Sequence, residues 1–248
     1  MKKPKLFLNK IDLHIHTTFS DGRCSIEECY QIAKKRQLTT IAITDHYSEF
    51  QPLPKRMGKG QLKYYLNALA NLSFLKGVEA EILSDGTVSI SKKTADSLDI
   101  VLGGLHVLHD RVFWNDPRPI LNPKHFIEDL RVALIRGMES RFVDVLAHVT
   151  WLPEAIRGES RKLITDDWIK DVVKSASANN VAIEISGAWE VPDERFIKES
   201  IQQGVKVSIG SDAHEASQIG HTSYAIHMLY RLNIAPDYIF LPARETLY

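Results

Sequence analysis

The sequence is poorest in cysteine, with two thiols among 248 residues. Cys24 and Cys29 lie in an early helical segment, at a spacing that fits neither a zinc finger nor a disulfide framework. Both read as reduced structural thiols, which suits a cytoplasmic protein. Net charge is also missing, because Lys plus Arg and Asp plus Glu number 31 each. Such a chain has no global field to draw in long nucleic acid or a membrane surface, although a nucleotide substrate stays open. No apolar run approaches the roughly 18 residues of a membrane span. The N-terminal Met1-Lys-Lys-Pro-Lys-Leu-Phe-Leu has basic residues without the apolar stretch of a signal peptide. GxxxxGK[ST] is absent, which argues against ATP-driven chemistry, and no Ser–His–Asp or reactive-cysteine arrangement competes. Nothing resembling a repeat, linker or low-complexity tract divides the chain, so one domain over residues 1–248 is expected.

Present instead are 44% apolar residues, enough for a sizeable core, and a recurring pattern. Ile- and Val-rich runs keep ending in His, Asp or Glu: Ile41-Ala-Ile-Thr-Asp-His46, Leu75-Lys-Gly-Val-Glu79, Ile100 to His106, Val143 to His148, Val181-Ala-Ile-Glu184 and Val205 to Asp212-Ala-His214. Between them lie helical stretches at 25–37, 61–72, 92–98, 123–136, 165–179, 193–203 and 224–232. The first opens on a capping box, Ser25-Ile-Glu-Glu28. Ser84 to Thr87 reads as a turn into a short strand, Val88 to Ile90, while 47–60, 107–122 and 150–162 read as loops. Strands buried on both faces and joined by helices make a parallel sheet. A doubly wound open sheet satisfies this pattern too. A barrel explains more, because functional residues end nearly every strand and only a ring brings the first and last strand ends together.

The stretch that organises the chain is Asp12-Leu-His14-Ile-His16-Thr-Thr-Phe-Ser-Asp21-Gly22. On an extended strand residues i and i+2 share a face, so His14 and His16 project side by side and suit a divalent metal. At a common barrel mouth they would meet Asp21, His46, Glu79, His106, His148, Asp212 and His214. Six imidazoles and three carboxylates crowded together demand cations. N/O ligation without thiolate points to zinc, manganese or iron, and so many ligands imply two or three ions.

DLHIHTTFSDG, AITDH, GVEAE, a His after each of two later strands, and IGSDAH together resemble the PHP (polymerase and histidinol phosphatase) superfamily over residues 11 to about 221. The resemblance implies a distorted (β/α)7 barrel and a phosphoesterase. Carried over residue by residue, it implies one metal on His14, His16, Glu79 and Asp212, with Glu79 bridging to a second on His106 and His148. A third would sit on Asp21, His46 and His214. Asp21 takes a place that is histidine in some members, which bears on that third metal's identity. Clustered cations lower the pKa of a bridging water to about 7, giving hydroxide at neutral pH, and neutralise transition-state charge on phosphate. Hydrolysis of a small phosphate ester is the first reading, with histidinol-phosphatase-type or nucleotide-directed specificity open. An amide- or lactone-cleaving metallohydrolase, or a non-catalytic module like PHP domains that have lost ligands, is the rival.

Other polar residues weigh less. Asp12 and Glu184 read as supports behind the ligands, Asp45 as a cap or orienter, and Glu81 as the neighbour of Glu79 that is not the ligand. His109, His125, His221 and His227 fit no motif and read as solvated or core residues. Arg111, Arg118 and Arg157 lie on the loops following His106 and His148, and Arg195 just past the Glu184 loop, where a guanidinium could hold phosphate. Trp114, Trp151 and Trp189 fall on loops leaving strand ends, where they either pack the rim or wall a pocket for a flat organic group; Trp168 lies in a helix.

Overall fold

The structure, a computed structural model, describes residues 8–242. Residues 1–7, which carry the basic N-terminal stretch without a signal peptide's apolar run, and residues 243–248 lie outside that range. Within it run strands β1 (Ile11–Asp12), β2 (Thr40–Ile43), β3 (His46–Tyr47), β4 (Leu75–Glu81) and β5 (Ile100–Gly104). A hairpin of β6 (Val107–Leu108) and β7 (Arg111–Val112) follows, then β8 (Val145–Leu146), β9 (Ala182–Ser186) and β10 (Val207–Gly210). The helices are α1 (Ile26–Lys35), α2 (Lys59–Leu69), α3 (Lys92–Ala95), α4 (Pro123–Glu139) and α5 (Glu154–Arg157). After these come α6 (Ser160–Leu163), α7 (Asp166–Asn179), α8 (Glu194–Gln202) and α9 (Ser223–Arg231).

The parallel sheet runs β1-β2-β4-β5-β8-β9-β10, with β3 pairing beside β4. It then closes on itself. The Leu13 N–H donates to the Ile209 carbonyl at 2.9 Å, and Ile15 bridges Ala213 in parallel. Asp12, fully buried, pins this seam from inside by accepting the Ser211 N–H (2.9 Å), the Ser211 hydroxyl (2.7 Å) and the Gly220 N–H (2.6 Å). Burial pushes its carboxyl up to about 6 even against these donors. Its work is therefore mainly on the β10 side, with a longer 3.4 Å bond from the His14 N–H.

Alternate strand residues serve two apolar layers. Ile41, Ile43, Val101 and Ile183 pack with helical residues such as Cys29, Leu130 and Val172. Ala42, Ile100, Leu102 and Val145 pack instead with Ile11, Leu13 and Val207. The α1 capping box is formed, with the Glu28 N–H on Ser25 Oγ and the Ser25 N–H on Glu28 Oε2. Both cysteines are free and buried, and burial pushes the Cys29 thiol up to about 12, which leaves it inert. Among the described residues no helix is long and apolar enough to cross a membrane.

The loops hold more structure than their sequence suggests. The stretch 107–122 contains the β6–β7 hairpin, and 150–162 contains α5 and α6. The short strand expected at Val88–Ile90 reduces to a single antiparallel bridge between Ile82 and Val88. Long connections in a compact fold commonly satisfy their backbone locally in this way.

Candidate metal centre

Every strand of the ring delivers its functional side chain at one mouth. His14 and His16 follow β1, His46 opens β3, and Glu79 stands in β4 beside it in register. His106 follows β5, His148 follows β8, and Asp212 and His214 follow β10. Two of these residues hold uncommon backbone conformations, φ +30° at His148 and φ +53° at Asp212. Positive φ in a residue other than glycine persists only when neighbours impose it. Glu184 accepts the His148 N–H at 2.8 Å, and Trp189 Nε1 donates to Asp212 Oδ2 at 2.6 Å.

The nine side chains converge in three overlapping sets. His14 Nε2 and His16 Nε2 stand 3.0 Å apart. Asp212 Oδ1 lies 3.5 and 3.1 Å from them, and Glu79 Oε2 lies 3.4 and 3.6 Å away. Two nitrogens sharing a tetrahedral zinc at about 2.0–2.1 Å would stand about 3.3 Å apart, so these spacings suit a common ion. The other Glu79 oxygen, Oε1, faces His106 Nε2 at 3.3 Å and His148 Nε2 at 2.9 Å. One carboxylate therefore serves two sets, one oxygen to each. Asp21 Oδ1 meets His214 Nε2 at 3.2 Å and His46 Nε2 at 3.5 Å. His46 reaches both ways, with Nδ1 2.8 Å from Glu79 Oε2.

Three imidazoles have their outer nitrogen occupied. His14 Nδ1 faces Glu184 Oε1 at 2.7 Å, His106 Nδ1 faces Glu81 at 3.2 Å, and His214 Nδ1 faces the Asp212 carbonyl at 3.0 Å. An acceptor behind the ring keeps the proton on Nδ1 and turns the Nε2 lone pair inward. Glu79 Oε2, Asp21 Oδ1 and His46 Nδ1 are buried and make no aligned hydrogen bond, although Nδ1 of His46 and Oε2 of Glu79 approach closely. Lone pairs that crowd together without a hydrogen between them fit a cation. His16 with Asp21, His46 and His214, His14 with His16 and Glu79, and His46 with Glu79 and His106 each bring ligand atoms close enough to hold one.

The electrostatics agree with that donor set. Burial opposes the Glu79 charge, but His106, His46 and His14 outweigh it and hold the carboxyl well below its usual range. Burial likewise opposes a charged His106, yet Glu81 and Glu79 raise it to about 9. Burial holds His46 down at about 4, only partly offset by Glu79. Glycines clear the room. A Cβ on Gly104 would meet Glu79 Oε1 at 2.1 Å, and one on Gly210 would meet Glu184 Oε1 at 2.2 Å.

Supporting residues sort by contact. Glu81 holds the His106 N–H and Nδ1 from behind. Asp45 points away from the cluster and accepts from the Thr17 N–H, the Thr17 hydroxyl and the Ser20 hydroxyl, fixing the turn after His16. His109 and His125 lie on the surface around Asp129, and His227 is exposed. His221 is also exposed but lines the mouth.

A cavity of about 810 Å³ opens over the cluster, lined by Trp114, Trp151 and Trp189 on one side. Trp114 stacks on Trp151 at 6.4 Å and 9°, and Trp151 packs on Trp189 at 4.3 Å. None of the four arginines singled out in the sequence lines this cavity. Arg111 bonds the Arg118 and Pro119 carbonyls, and Arg118 pairs with Asp110 and Asp116. Arg157 bonds the Leu152 and Phe113 carbonyls and lies over Trp151 and Trp189 from behind. Arg195 pairs with Asp193 and Asp166 at a separate hollow beside α8 and α9. The loops' own carbonyls and carboxylates satisfy these guanidinium groups. The cationic lining comes instead from Arg23, which pairs with Glu215 at the rim, and from Lys55 and Arg56 on the loop between β3 and α2. That loop leaves a strand end like the others, and the same criterion applied to it would have found Arg56.

A family profile described as PHP domain matches residues 12–188. The chain is 30% identical over 220 residues to the DNA polymerase/3'-5' exonuclease PolX of Bacillus subtilis, spanning 85% of this chain but only 35% of that relative. A probable phosphatase of Caldanaerobacter subterraneus is 28% identical over 239 residues, 92% of this chain and 85% of the relative. Among solved structures, histidinol phosphate phosphatase from Lactococcus lactis, complexed with zinc, L-histidinol and phosphate, superposes with a TM-score of 0.62. Identity there is 12%, with 92% of this chain and 95% of that chain covered, so the likeness is one of fold.

Proposed function

The chain belongs to the PHP domain family, and from that premise we propose that it is a single-domain, metal-dependent phosphoesterase acting on a small phosphate ester. The observation that carries the reading is Glu79. One of its buried oxygens faces His106 and His148 Nε2, and the other faces His14 and His16 Nε2 and His46 Nδ1, as a carboxylate shared between ions would. His14, His16 and Asp212 would complete one ion's shell, His106 and His148 a second, and Asp21, His46 and His214 a third. Zinc, manganese and iron all suit this donor set. Ions there would draw in phosphate oxygens and lower the pKa of water to about 7.

The chain's own residues do the rest. Glu184, Glu81 and the Asp212 carbonyl hold protons on the outer nitrogens, keeping Nε2 of His14, His106 and His214 free. The Trp114–Trp151–Trp189 wall and the β3–α2 loop shape a cavity large enough for an organic group beside the phosphate. A cytoplasmic location accords with the reduced cysteines.

The test is elemental analysis of protein purified without chelators, followed by a screen of phosphate esters set against amides and lactones. We expect two or three transition-metal ions per chain and turnover of phosphate esters. Less than one ion per chain with no gain on reconstitution, or turnover of amides or lactones alone, would refute the proposal.

A further inference from the structure

Arg56 is buried at the mouth, and of its five N–H donors only the one on Nε meets an acceptor among the described residues. Its side chain is only 4% exposed, and Nε donates to Glu81 Oε2 at 3.0 Å. The guanidinium carbon lies 5.7 Å from the centre of the Trp114 ring. Glu81 is itself fixed, because it accepts from the His106 N–H and faces His106 Nδ1. One edge of the guanidinium is thus tied to the carboxylate that orients a cluster imidazole, and one face lies against an indole. No described residue accepts from either Nη, and these atoms border the cavity beside His46 and His106 rather than the sealed core. Burying a guanidinium is costly unless its donors find acceptors. An incoming anion supplies them, and the planar fork matches two oxygens of one phosphoryl group.

We propose that Arg56 grips the phosphoryl group of the substrate and that its fork selects phosphate monoesters over diesters. This rests on the phosphoesterase reading and adds the substrate class. A monoester carries three terminal oxygens and a second negative charge. Two of those oxygens can meet the Arg56 fork while the third stays with the imidazole–carboxylate cluster. A diester keeps only two terminal oxygens, so fork and cluster compete for them, and its single charge attracts the guanidinium less. Glu81 fixes the fork in place before substrate arrives, so little ordering remains when it binds.

The experiment uses metal-loaded wild type, Arg56→Lys and Arg56→Gln. Inorganic phosphate is the binding probe, read by tryptophan fluorescence and by competition. p-Nitrophenyl phosphate and bis(p-nitrophenyl) phosphate are the substrates. Losing a bidentate charge-assisted contact should raise the phosphate Kd and the monoester KM about 30-fold in Arg56→Gln and about 10-fold in Arg56→Lys. Diester kcat/KM should change less than about threefold, with metal content unchanged. An unaltered phosphate Kd, or equal losses on both esters, overturns the proposal. A fall in metal content at constant KM also overturns it, because Arg56 would then only steady Glu81. A measurement free of variants is the wild type's affinity for phosphate against dimethyl phosphate, expected to differ at least about tenfold; equal affinities overturn the proposal. Wild type that turns over no phosphate ester would refute the phosphoesterase reading, whereas the role of Arg56 is read from phosphate binding.

Discussion

Glu184 Oε1 sits 2.7 Å from His14 Nδ1, while its other oxygen accepts the His148 N–H at 2.8 Å. One buried carboxylate from β9 thereby fixes the tautomer of the first imidazole and the backbone of another across the ring. Glutamine can accept only one of these donors through oxygen, so Glu184→Gln frees His14 to turn or switch tautomer. Removing such a partner behind a ligand typically costs 10–100-fold in metal affinity. The expected result for Glu184→Gln is a loss of about that size in a chelator-competition titration, with the circular dichroism spectrum unchanged. Wild-type affinity would show that Glu184 is merely a satisfied buried acid.

His16→Ala, Glu79→Gln and Asp212→Asn each remove a donor from the most crowded set, where His16 Nε2 and Asp212 Oδ1 stand 3.1 Å apart. If the ions position phosphate and neutralise its developing charge, each change costs several kcal/mol of transition-state stabilisation. That corresponds to about three orders of magnitude in kcat/KM. The barrel should survive, since its apolar layers do not involve these groups. Turnover of a phosphate ester within tenfold of wild type in any of the three would place the chemistry elsewhere.

Most of this centre could be read from the chain because parallel strands put their C-terminal ends together whatever the loops do. His14 and His16 at i and i+2, and a His or acid at the close of each apolar run, therefore mark the mouth in the sequence itself. Contacts that depend on loop path could not be read. Arg118 sits on a loop at the right end of the barrel, yet Asp116 two residues earlier captures it. Arg56 sits on the 47–60 loop, where nothing in the sequence sets it apart from Lys55 or Lys59, and Glu81 draws it inward. Asp45 beside His46 differs from a ligand only in side-chain direction, which the Thr17 and Ser20 donors decide. The partners of Asp45 and Arg56 lie 25 or more residues away in sequence, a separation that carries no periodic signal.

Glu49 offers a pH test away from the cluster. Its carboxylate accepts from the Ser91 N–H, the Ser91 and Thr94 hydroxyls and Lys59, tying the β3–α2 loop to the start of α3. Burial opposes the charge, but these donors outweigh it and hold the carboxyl at about 2 against an ordinary 4.5. A depressed folded-state pKa gives stability that is full above the unfolded value and is lost as pH falls through the folded one. The unfolding free-energy gap between wild type and Glu49→Gln should therefore be widest near neutrality and narrow from pH 4.5 toward 2. Urea titrations giving a gap independent of pH would contradict this.

The tryptophan wall separates into residues with different work. Trp151 is 5% exposed and lies between its neighbours, and Trp189 is bonded to Asp212, so both hold the rim together. Trp114, at 37% exposed, is the ring with surface left over at the cavity. Stacking on an aromatic is worth roughly 1–3 kcal/mol per base in nucleic-acid binders. Trp114→Ala should therefore raise KM about tenfold for an aromatic phosphate ester such as p-nitrophenyl phosphate. Glycerol phosphate, which has no flat group to stack, should lose no more than about threefold, because Arg56 keeps its bond to Glu81 in the variant. Trp189→Phe removes the indole donor to Asp212 and should weaken both substrates alike. Equal losses on the two esters in Trp114→Ala would show that its ring, like that of Trp151, only packs the rim.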